Sequence, residues 1–403
     1  MTARQISGCR VCRSDNLVNV LDLGRQPLAN EFVASPQDQN TYPLVLLRCV
    51  DCGLAQLSVV VDPKVMFSNY LYASSASAPL VAHFEEYADE VAARFAHPGS
   101  FVIEIGSNDG VLLAPLQARG VGVLGIDPAT NLAEAAQDRG IQTWHEFFSE
   151  RLITERLARS SANVVIANNV LAHIDDIHEV MRGVRAALRD DGVFIAEFPY
   201  LGDLVEHVEY DTIYHEHLSY FHLAPLERLF AYAGMRVFDI KHLPQQGGSI
   251  RIYVCRGNTH RGTAALRAFR KQEARRDLGN AVTYEAFAQR VVASRDTLVE
   301  MLYRLRNNNT VAAHGASAKG NTLLNYCGIG PSDIEFIADG APLKHGLYTP
   351  GTHIPVVPES ELVARNPDYV LLLAWNYAGA IVKKFPEYAG RFIHPIPIAR
   401  LYP

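Results

Sequence analysis

The sequence predicts an α/β protein with a Rossmann-like central domain, a small N-terminal metal module and a C-terminal α/β domain. Three observations support this fold class. Four cysteines form two pairs within the first 52 residues, apolar runs alternate with amphipathic stretches from about residue 100 to 255, and a shorter alternation of the same kind begins at residue 308. We therefore divide the chain into residues 1–75, 76–255 and 256–403.

The N-terminal module carries the cysteine pairs at the two ends of a 36-residue insert. Cys9 and Cys12 form the first pair, and Cys49 and Cys52 form the second. Four thiolates complete the tetrahedral shell of structural zinc and leave no position for a catalytic water. Disulfides do not suit a reducing compartment, and a nucleic-acid ribbon does not suit the acidic surroundings. We expect a structural Zn²⁺ bound by all four cysteines.

The central domain contains four apolar segments typical of buried strands, separated by segments of helical periodicity. The strand segments are FVIEIGSN, VGVLGIDP, NVVIANNV and GVFIAEFP, and LAEAAQDRG and IHEVMRGVRAALRDDG are amphipathic helices. This alternation is typical of a parallel sheet covered on both faces. The segments RVFDIKHLPQ and SIRIYVCR then predict an antiparallel hairpin, because no strong helix separates them.

A polar turn with two glycines follows the first strand and leads into a helix. Glycines at this sheet edge let a ligand approach the backbone, and Asp127, ending the next strand, is placed to bind a ribose diol. A nicotinamide dinucleotide would need the same acid, but Asn108 stands where G-x-G-x-x-G requires glycine. A nucleoside without phosphates, such as S-adenosylmethionine, is therefore favoured. The turn alone is equally consistent with a tight structural turn.

Asn168 and Asn169 lie at the end of the strand segment NVVIANNV, and His173 follows it at the same edge of the sheet. His173 is equally consistent with a packing histidine. The predicted cofactor-binding residues are Glu104, Gly106, Ser107, Asn108, Gly110, Asp127, Asn168 and Asn169.

The densest polar cluster spans residues 210–222 and contains three histidines, two acidic residues and three tyrosines. Metal binding is disfavoured, because histidines at i and i+2 do not share a helical face and H-E-x-x-H is missing. Acid–base chemistry fits better: histidine titrates near neutrality, a carboxylate orients it, and tyrosine donates to an oxyanion. A polar loop rich in aromatic residues, without catalytic role, is the alternative.

Two other segments are candidates for the same site. Tyr70 and Tyr72 lie in a polar-aromatic loop before the central domain, which either folds over the active site or is an ordinary domain junction. Residues 314–321, HGASAKGN, open a helix after a strand, and helix N-terminal amides with a lysine suit a diphosphate. The segment is not a Walker loop, because the residue order differs.

Composition narrows the choice of partners. With 48% hydrophobic and 20% charged residues the chain is not disordered, and a net charge of −6 argues against nucleic acid or an anionic membrane as partner. We expect a cytoplasmic protein, because neither a signal peptide nor an apolar run of membrane-spanning length is seen. The charged, helical residues 262–307 are typical of a solvated surface.

These motifs together resemble the S-adenosylmethionine-dependent C-methyltransferases of nucleotide-linked deoxysugars, including the C-3 methyltransferases of antibiotic biosynthesis. The resemblance covers nearly the whole chain. It implies a class I methyltransferase core between a zinc module and a C-terminal domain that holds the nucleotide diphosphate. The motifs that carry it are the four cysteines, EIGSNDG at 104–110, NNVLAHIDD at 168–176, YHEH at 214–217, QGGSIR at 246–251 and GASAKGN at 315–321.

The resemblance also implies roles for individual residues. In the active site it implicates Tyr214, Glu216, His217, His173 and one of Tyr70 and Tyr72. It implies a dTDP-linked 4-keto deoxysugar as substrate. We also expect a monomer. For the diphosphate we assign Ser317, Lys319 and Asn321, and the one departure in this pocket is His314, where tyrosine is expected.

A sugar carbon becomes a nucleophile only when a neighbouring ketone acidifies its C–H bond. We expect His217, oriented by Glu216, to remove the C-3 proton, while Tyr214 or His173 stabilises the enolate. Three alternatives compete with this interpretation: an O- or N-methyltransferase, an NAD-dependent oxidoreductase, and a zinc-bearing binding protein without activity.

Overall fold

The computed structural model describes residues 3–67 and 73–403. In these ranges an N-terminal β module, a central α/β domain and a C-terminal α/β unit follow one another. The predicted α/β class, with a Rossmann-like core between two smaller units, is confirmed. None of the helices in these ranges is long and apolar enough to cross a membrane.

The N-terminal module is a β structure of five strands and one short helix within its described residues. Strands β2 and β3 form an antiparallel hairpin with two register shifts, and β4 pairs with β3. The first and fifth strands pair separately. The elements are β1 (Ala3–Gln5), β2 (Leu17–Gln26), β3 (Tyr42–Cys49), β4 (Ala55–Leu57), β5 (Val59–Val61) and α1 (Pro63–Phe67).

The central domain alternates strands and helices as predicted. Its elements are α2 (Ala78–Arg94), β6 (Phe101–Ile105), α3 (Leu113–Ala118), β7 (Gly122–Ile126), α4 (Thr130–Asp138), β8 (Thr143–Trp144), α5 (Glu150–Arg156), β9 (Ala162–Asn168), α6 (Ile177–Ala187), β10 (Leu188–Pro199), α7 (Leu201–His207), β11 (Ser219–Tyr220), α8 (Leu223–Tyr232), β12 (Met235–Leu243) and β13 (Ser249–Arg256).

The described strands of this domain form a seven-stranded sheet in the order β12-β13-β10-β9-β6-β7-β8. Strand β13 runs antiparallel to both of its neighbours, and the other pairs are parallel. The predicted end hairpin is therefore confirmed. The parallel strands leave their carboxyl ends at one edge, where ligands bind in open α/β sheets.

Alternate residues of the strands build separate cores on the two faces of the sheet. Val102 and Val164 pack with the helices α2 and α3. Ile103 and Val165 point to the other face and pack with α6 and α8. Because both faces are covered, the strands read as continuous apolar runs, which is why the sequence located them.

Helix α6 shows how sequence sets an element here. Its buried residues Ile177, Val180, Met181 and Val184 recur at helical spacing and face the sheet. The Asp176 side chain accepts a hydrogen bond from the Glu179 amide at 3.0 Å and caps the amino end.

One strand of the central domain belongs to the sheet of the N-terminal module. In β11, Ser219 pairs with Gln56 and Tyr220 with Ala55 of β4, which gives the order β11-β4-β3-β2. The segment after Y-H-E-H is thus held by the zinc module. No local pattern in the sequence indicates this pairing.

The C-terminal unit begins with two helices and continues as a second, smaller sheet. Its described strands follow the order β16-β15-β14-β17-β18-β19, with β19 antiparallel to β18 and the other pairs parallel. The elements are α9 (Ala264–Arg276), α10 (Ala281–Leu305), β14 (Val311–His314), α11 (Ala318–Cys327), β15 (Ile337–Asp339), β16 (Val356–Pro358), α12 (Ser360–Arg365), β17 (Tyr369–Leu372), α13 (Ala378–Lys384), β18 (Phe392–His394) and β19 (Arg400–Tyr402).

Candidate active site

The turn between β6 and α3 is shaped by residues with left-handed backbone. Gly106 has φ +64° and Asn108 φ +52°. A Cβ at Gly106 would lie 2.8 Å from the Val170 side chain, so only glycine fits without displacement. Asp127 accepts hydrogen bonds from the amides of Asn108 at 2.8 Å and Ala129 at 2.9 Å. Asp127, which follows β7, therefore fixes the turn that follows β6.

We expect Gly106→Ala to weaken S-adenosylmethionine binding. A left-handed backbone costs a non-glycine residue about 1–2 kcal/mol, which corresponds to roughly 5- to 30-fold in affinity if the turn must keep its shape. Titration calorimetry measures the change. Gly99→Ala is the matched control, because Gly99 has φ +86°, no atom within 4 Å of the point where a Cβ would stand, and a place at the opposite end of β6. Equal affinities in the two variants would contradict the prediction.

Polar atoms without partners surround this turn. Within the described part of the chain, Glu104 Oε2, Ser107 Oγ, Asn168 Oδ1 and Asn169 Oδ1 are buried and have no hydrogen-bond partner. The Asn168 amide donates to the other Glu104 oxygen at 3.0 Å. Burial raises the pKa of Glu104 to about 8. Because buried polar groups are normally satisfied, these atoms fit a polar ligand lying at the strand ends.

Two of the predicted cofactor residues also take part in the packing of this turn. Gly110, with φ +77°, packs its open side on Ile141, 3.2 Å from the position of a Cβ. It serves the close packing of the turn. Ser107 is only 2% exposed and lies against Gly125, whose own lack of a side chain makes room for it.

Three of the predicted catalytic side chains meet at the next strand ends. The ring centroid of His217 lies 4.0 Å from that of Tyr214 and 5.0 Å from that of His173. Phe67 stacks on the other side of His173 at 5.5 Å. His217 Nδ1 lies 2.9 Å from the Thr212 carbonyl. Because a carbonyl only accepts, Nδ1 carries the proton and Nε2 is the basic atom.

The orientation of His217 by Glu216 stays a prediction. His217 Nδ1 faces the Thr212 carbonyl, and buried Glu216 accepts a hydrogen bond from the Asn30 side chain at 2.6 Å. Sequence adjacency suggested the pairing, and no pattern in the sequence pointed to Asn30, Thr212 or Phe67.

The remaining predicted residues of the aromatic loop, Tyr70 and Tyr72, lie outside the described residues. On either side of them, Phe67 contacts His173 as above, and the Ser74 amide donates to the Asn108 side chain at 2.8 Å.

Burial keeps both histidines neutral. It lowers the pKa of His217 well below 6.5, and the neighbouring His173 and Lys319 act in the same direction. Burial also lowers the pKa of His173 to about 4. Both imidazoles are therefore unprotonated at neutral pH.

These pKa shifts predict that kcat/KM stays level between pH 7 and pH 6, where an ordinary histidine base would lose activity.

The stability of the fold depends on pH in a different way. Below the ordinary pKa of 6.5 the histidines of the unfolded chain become protonated, whereas the folded histidines stay neutral. The free energy of unfolding therefore falls as pH drops from 7 towards 4. Urea unfolding at pH 7 and pH 5 measures this slope. His173→Gln should reduce the slope, and a slope indifferent to His173 contradicts the prediction.

The predicted diphosphate residues separate in the structure. Lys319, 8% exposed, donates to the Gln246 carbonyl at 3.0 Å and lies 5.0 Å from the Trp375 ring. The Ser317 hydroxyl caps α11 by accepting from the Gly320 amide at 3.0 Å. Asn321 is buried and donates to the Ala29 carbonyl at 2.7 Å, towards the N-terminal module. Lys319 alone of the three extends to the central domain.

The turn before α11 repeats the geometry of the cofactor turn. Asp339, at the end of β15, accepts from the amides of Ala316 at 2.6 Å and Ala341 at 2.7 Å, as Asp127 does from its two amides. Gly315 has φ +92° and stands where Gly106 stands in the first unit. The departure His314 pairs with Glu359 at 2.9 Å.

The four cysteines converge on one point. Their Sγ atoms lie within 4.8 Å of one another, with Cys9 3.5 Å from Cys52 and Cys12 3.4 Å from Cys49. These distances exceed a disulfide bond of about 2.05 Å and approach the ~3.8 Å edge of a tetrahedron with Zn–S bonds of ~2.3 Å. The donor set therefore fits structural zinc and not the disulfide alternative.

The sheet order and the single antiparallel strand β13 among the described strands are those of a class I methyltransferase fold. Family models match three parts of the chain: "Putative zinc binding domain" at residues 9–67, "Methyltransferase domain" at 81–240 and "C-methyltransferase C-terminal domain" at 244–397. The C-methyltransferase NovU of Streptomyces niveus is 37% identical over 408 residues, covering 99% of this chain and 97% of that protein. The chain belongs to this family of C-methyltransferases.

More distant similarities cover only part of the chain. The ubiquinone biosynthesis O-methyltransferase of Methylobacterium sp. (strain 4-46) is 31% identical over 102 residues, covering 24% of this chain and 40% of that protein. Magnesium protoporphyrin IX methyltransferase from Synechocystis PCC 6803 with bound SAH has a TM-score of 0.35 and 18% identity, covering 44% of this chain and 83% of that chain. The protein is thus a C-methyltransferase that uses S-adenosylmethionine and carries structural zinc.

Proposed function

We propose that this C-methyltransferase methylates C-3 of a dTDP-linked 4-keto deoxysugar, with His217 as the base that forms the enolate. One observation carries the proposal. The Thr212 carbonyl fixes the His217 tautomer, which leaves Nε2 unprotonated beside Tyr214 and His173. Transfer to carbon needs such a base, whereas transfer to oxygen or nitrogen needs less acidification of the acceptor.

The surroundings of His217 favour proton removal from a neutral substrate. A low pKa makes the imidazole a weak base in the free enzyme, but the enolate that forms beside it is an anion and stabilises the imidazolium. Tyr214 or His173 is the donor that we assign to the enolate oxygen. Positioning then accounts for much of the rate, because the reacting atoms must lie in contact before transfer.

We assign S-adenosylmethionine to the edge of the central sheet beside the turn at residues 106–110. When bound, the cofactor supplies an electrophilic methyl group. The unpartnered atoms of Glu104, Ser107, Asn168 and Asn169 support this assignment. Asp127 is the acceptor that we assign to the ribose diol. The raised pKa of Glu104 fits a cationic ligand, because a positive charge nearby favours the ionised carboxylate.

We assign the nucleotide diphosphate to the amino end of α11, with Lys319 as its cation and Ser317 and Asn321 nearby. The repeated geometry at Asp339 supports a nucleoside in the C-terminal unit. Two carboxyls, Glu209 and Asp211, also face Lys319, and Lys319 acts against the burial that raises the pKa of Glu209 to about 7.

The same proposal assigns zinc binding to residues 1–75, cofactor binding to 76–255 and substrate binding to 256–403. We propose a monomer that acts in the cytoplasm, where reduced thiols remain available as zinc ligands.

The test is an assay against a panel of 4-keto nucleotide sugars, followed by NMR location of the new methyl group. A methyl on C-3 supports the proposal. A methyl on oxygen or nitrogen would replace it by the alternative chemistry, and lack of heat on titration with S-adenosylmethionine would favour a non-catalytic binding protein.

A further inference from the structure

Arg10 lies between the first two cysteine ligands, and its side chain is buried against the central domain. The residue is 7% exposed. Its guanidinium donates to Asp175 Oδ1 at 3.1 Å, and to the carbonyls of Leu57 and Leu218, each at 3.1 Å. It also contacts the Gln56 side chain at 3.2 Å. A single side chain of the zinc module thus binds two segments of the central domain.

Those two segments are the ones that carry the candidate catalytic histidines. Leu218 directly follows His217, and Asp175 comes two residues after His173. The segments are also joined to each other, because the Leu218 amide donates to the Ala172 carbonyl at 2.7 Å.

A second contact links the same loop to the same region. His178, in α6 after the His173 segment, lies with Nε2 2.8 Å from the Val11 carbonyl. Val11 and Arg10 are the two residues between Cys9 and Cys12. Both residues enclosed by the first ligand pair therefore bind the region that follows His173.

We propose that Arg10 is a positioning residue that sets the spacing of His173 and His217, so that the folded zinc loop is required for the geometry of the base. The inference rests on the proposed function, which makes His217 the base. A guanidinium suits the task because its donors spread over a rigid plane and reach several acceptors, which a lysine ammonium cannot do.

The test compares Arg10→Met and Arg10→Lys with the wild-type holoenzyme. Arg13→Met is the matched control, because Arg13 lies in the same zinc loop with an exposed side chain. Zinc content and adenosylhomocysteine affinity are measured first. We then expect kcat to fall about 10- to 100-fold in both Arg10 variants, with a small change in KM and no change in Arg13→Met.

A second readout does not depend on substrate. In protein labelled with ¹⁵N-histidine, the His217 signals, identified by their loss in His217→Asn, should report a fixed Nδ1–H tautomer in wild type. Arg10→Met should shift them towards tautomer averaging, which a general loss of stability would not do in the folded protein.

Unchanged kcat and unchanged His217 signals in zinc-loaded Arg10→Met would overturn the inference. If that variant does not fold, Arg10→Lys, which keeps the positive charge but not the planar set of donors, and Asp175→Asn decide in the same way. The two failures can be told apart: an active His217→Asn rejects the base, whereas unchanged His217 signals in the Arg10 variants reject the coupling.

Discussion

Replacing His217 by asparagine should lower kcat for methyl transfer about 10²- to 10⁴-fold, the range that general base catalysis contributes. In the wild type, the Thr212 carbonyl accepts a hydrogen bond from His217 Nδ1 at 2.9 Å. The asparagine amide can donate to the same carbonyl, so the loop keeps this hydrogen bond. What is lost is the basic Nε2 atom. Affinity for S-adenosylmethionine should stay near wild type, because the cofactor turn lies on other strand ends.

The matched control is His215→Asn. His215 is two residues away and 2% exposed, but it turns towards the N-terminal module, where Nε2 lies 3.3 Å from the Pro43 carbonyl. Its loss should lower the melting temperature and leave kcat per folded molecule nearly unchanged. Full activity in His217→Asn, or an equal loss in His215→Asn, would remove His217 as the base.

Removing a zinc ligand should have the largest effect on stability. Structural zinc contributes about 10–16 kcal/mol in zinc-finger peptides at neutral pH, as much as the 5–15 kcal/mol that separates a whole domain from its unfolded state. Cys49 is fully buried at the end of β3. We therefore expect Cys49→Ser to lose zinc, to expose residues 9–67 to proteolysis and to lose activity, because β4 holds β11 beside the active site.

Zinc content by mass spectrometry, limited proteolysis and the melting temperature measure this outcome. Cys255→Ser serves as the control, since Cys255 is equally buried but lies in β13, remote from the cysteine cluster. That variant should retain zinc and the intact N-terminal module. A zinc-free Cys49→Ser protein with wild-type melting temperature would show that the metal is not structural.

The fold was predictable where local pattern determines structure. The parallel strands are buried on both faces, so their apolar runs appear directly in the sequence. The zinc site was equally predictable, because two closely spaced pairs of cysteines are typical of structural zinc. The short strands β16, β18 and β19 were missed, since three residues carry no periodicity.

The candidate site was predictable by residue type but not by contact. The sequence indicated that His173, Tyr214 and His217 belong together, and the ring distances agree. It paired His217 with Glu216, which stays a prediction, but it gave no sign of the contact between His217 Nδ1 and the Thr212 carbonyl. Main-chain partners leave no mark on composition or spacing, and long-range partners such as Asn30 are set by tertiary packing alone.

The pairing of β11 with β4 also limits how this enzyme can be re-engineered. A chain trimmed to begin at residue 76 would leave Ser219 and Tyr220 without their partner strand β4. Unpaired strand edges of this kind promote aggregation. A design that moves the central domain to another scaffold therefore needs the first 67 residues as well. The N-terminal module therefore cannot be removed without exposing a strand that lies close to the candidate active site.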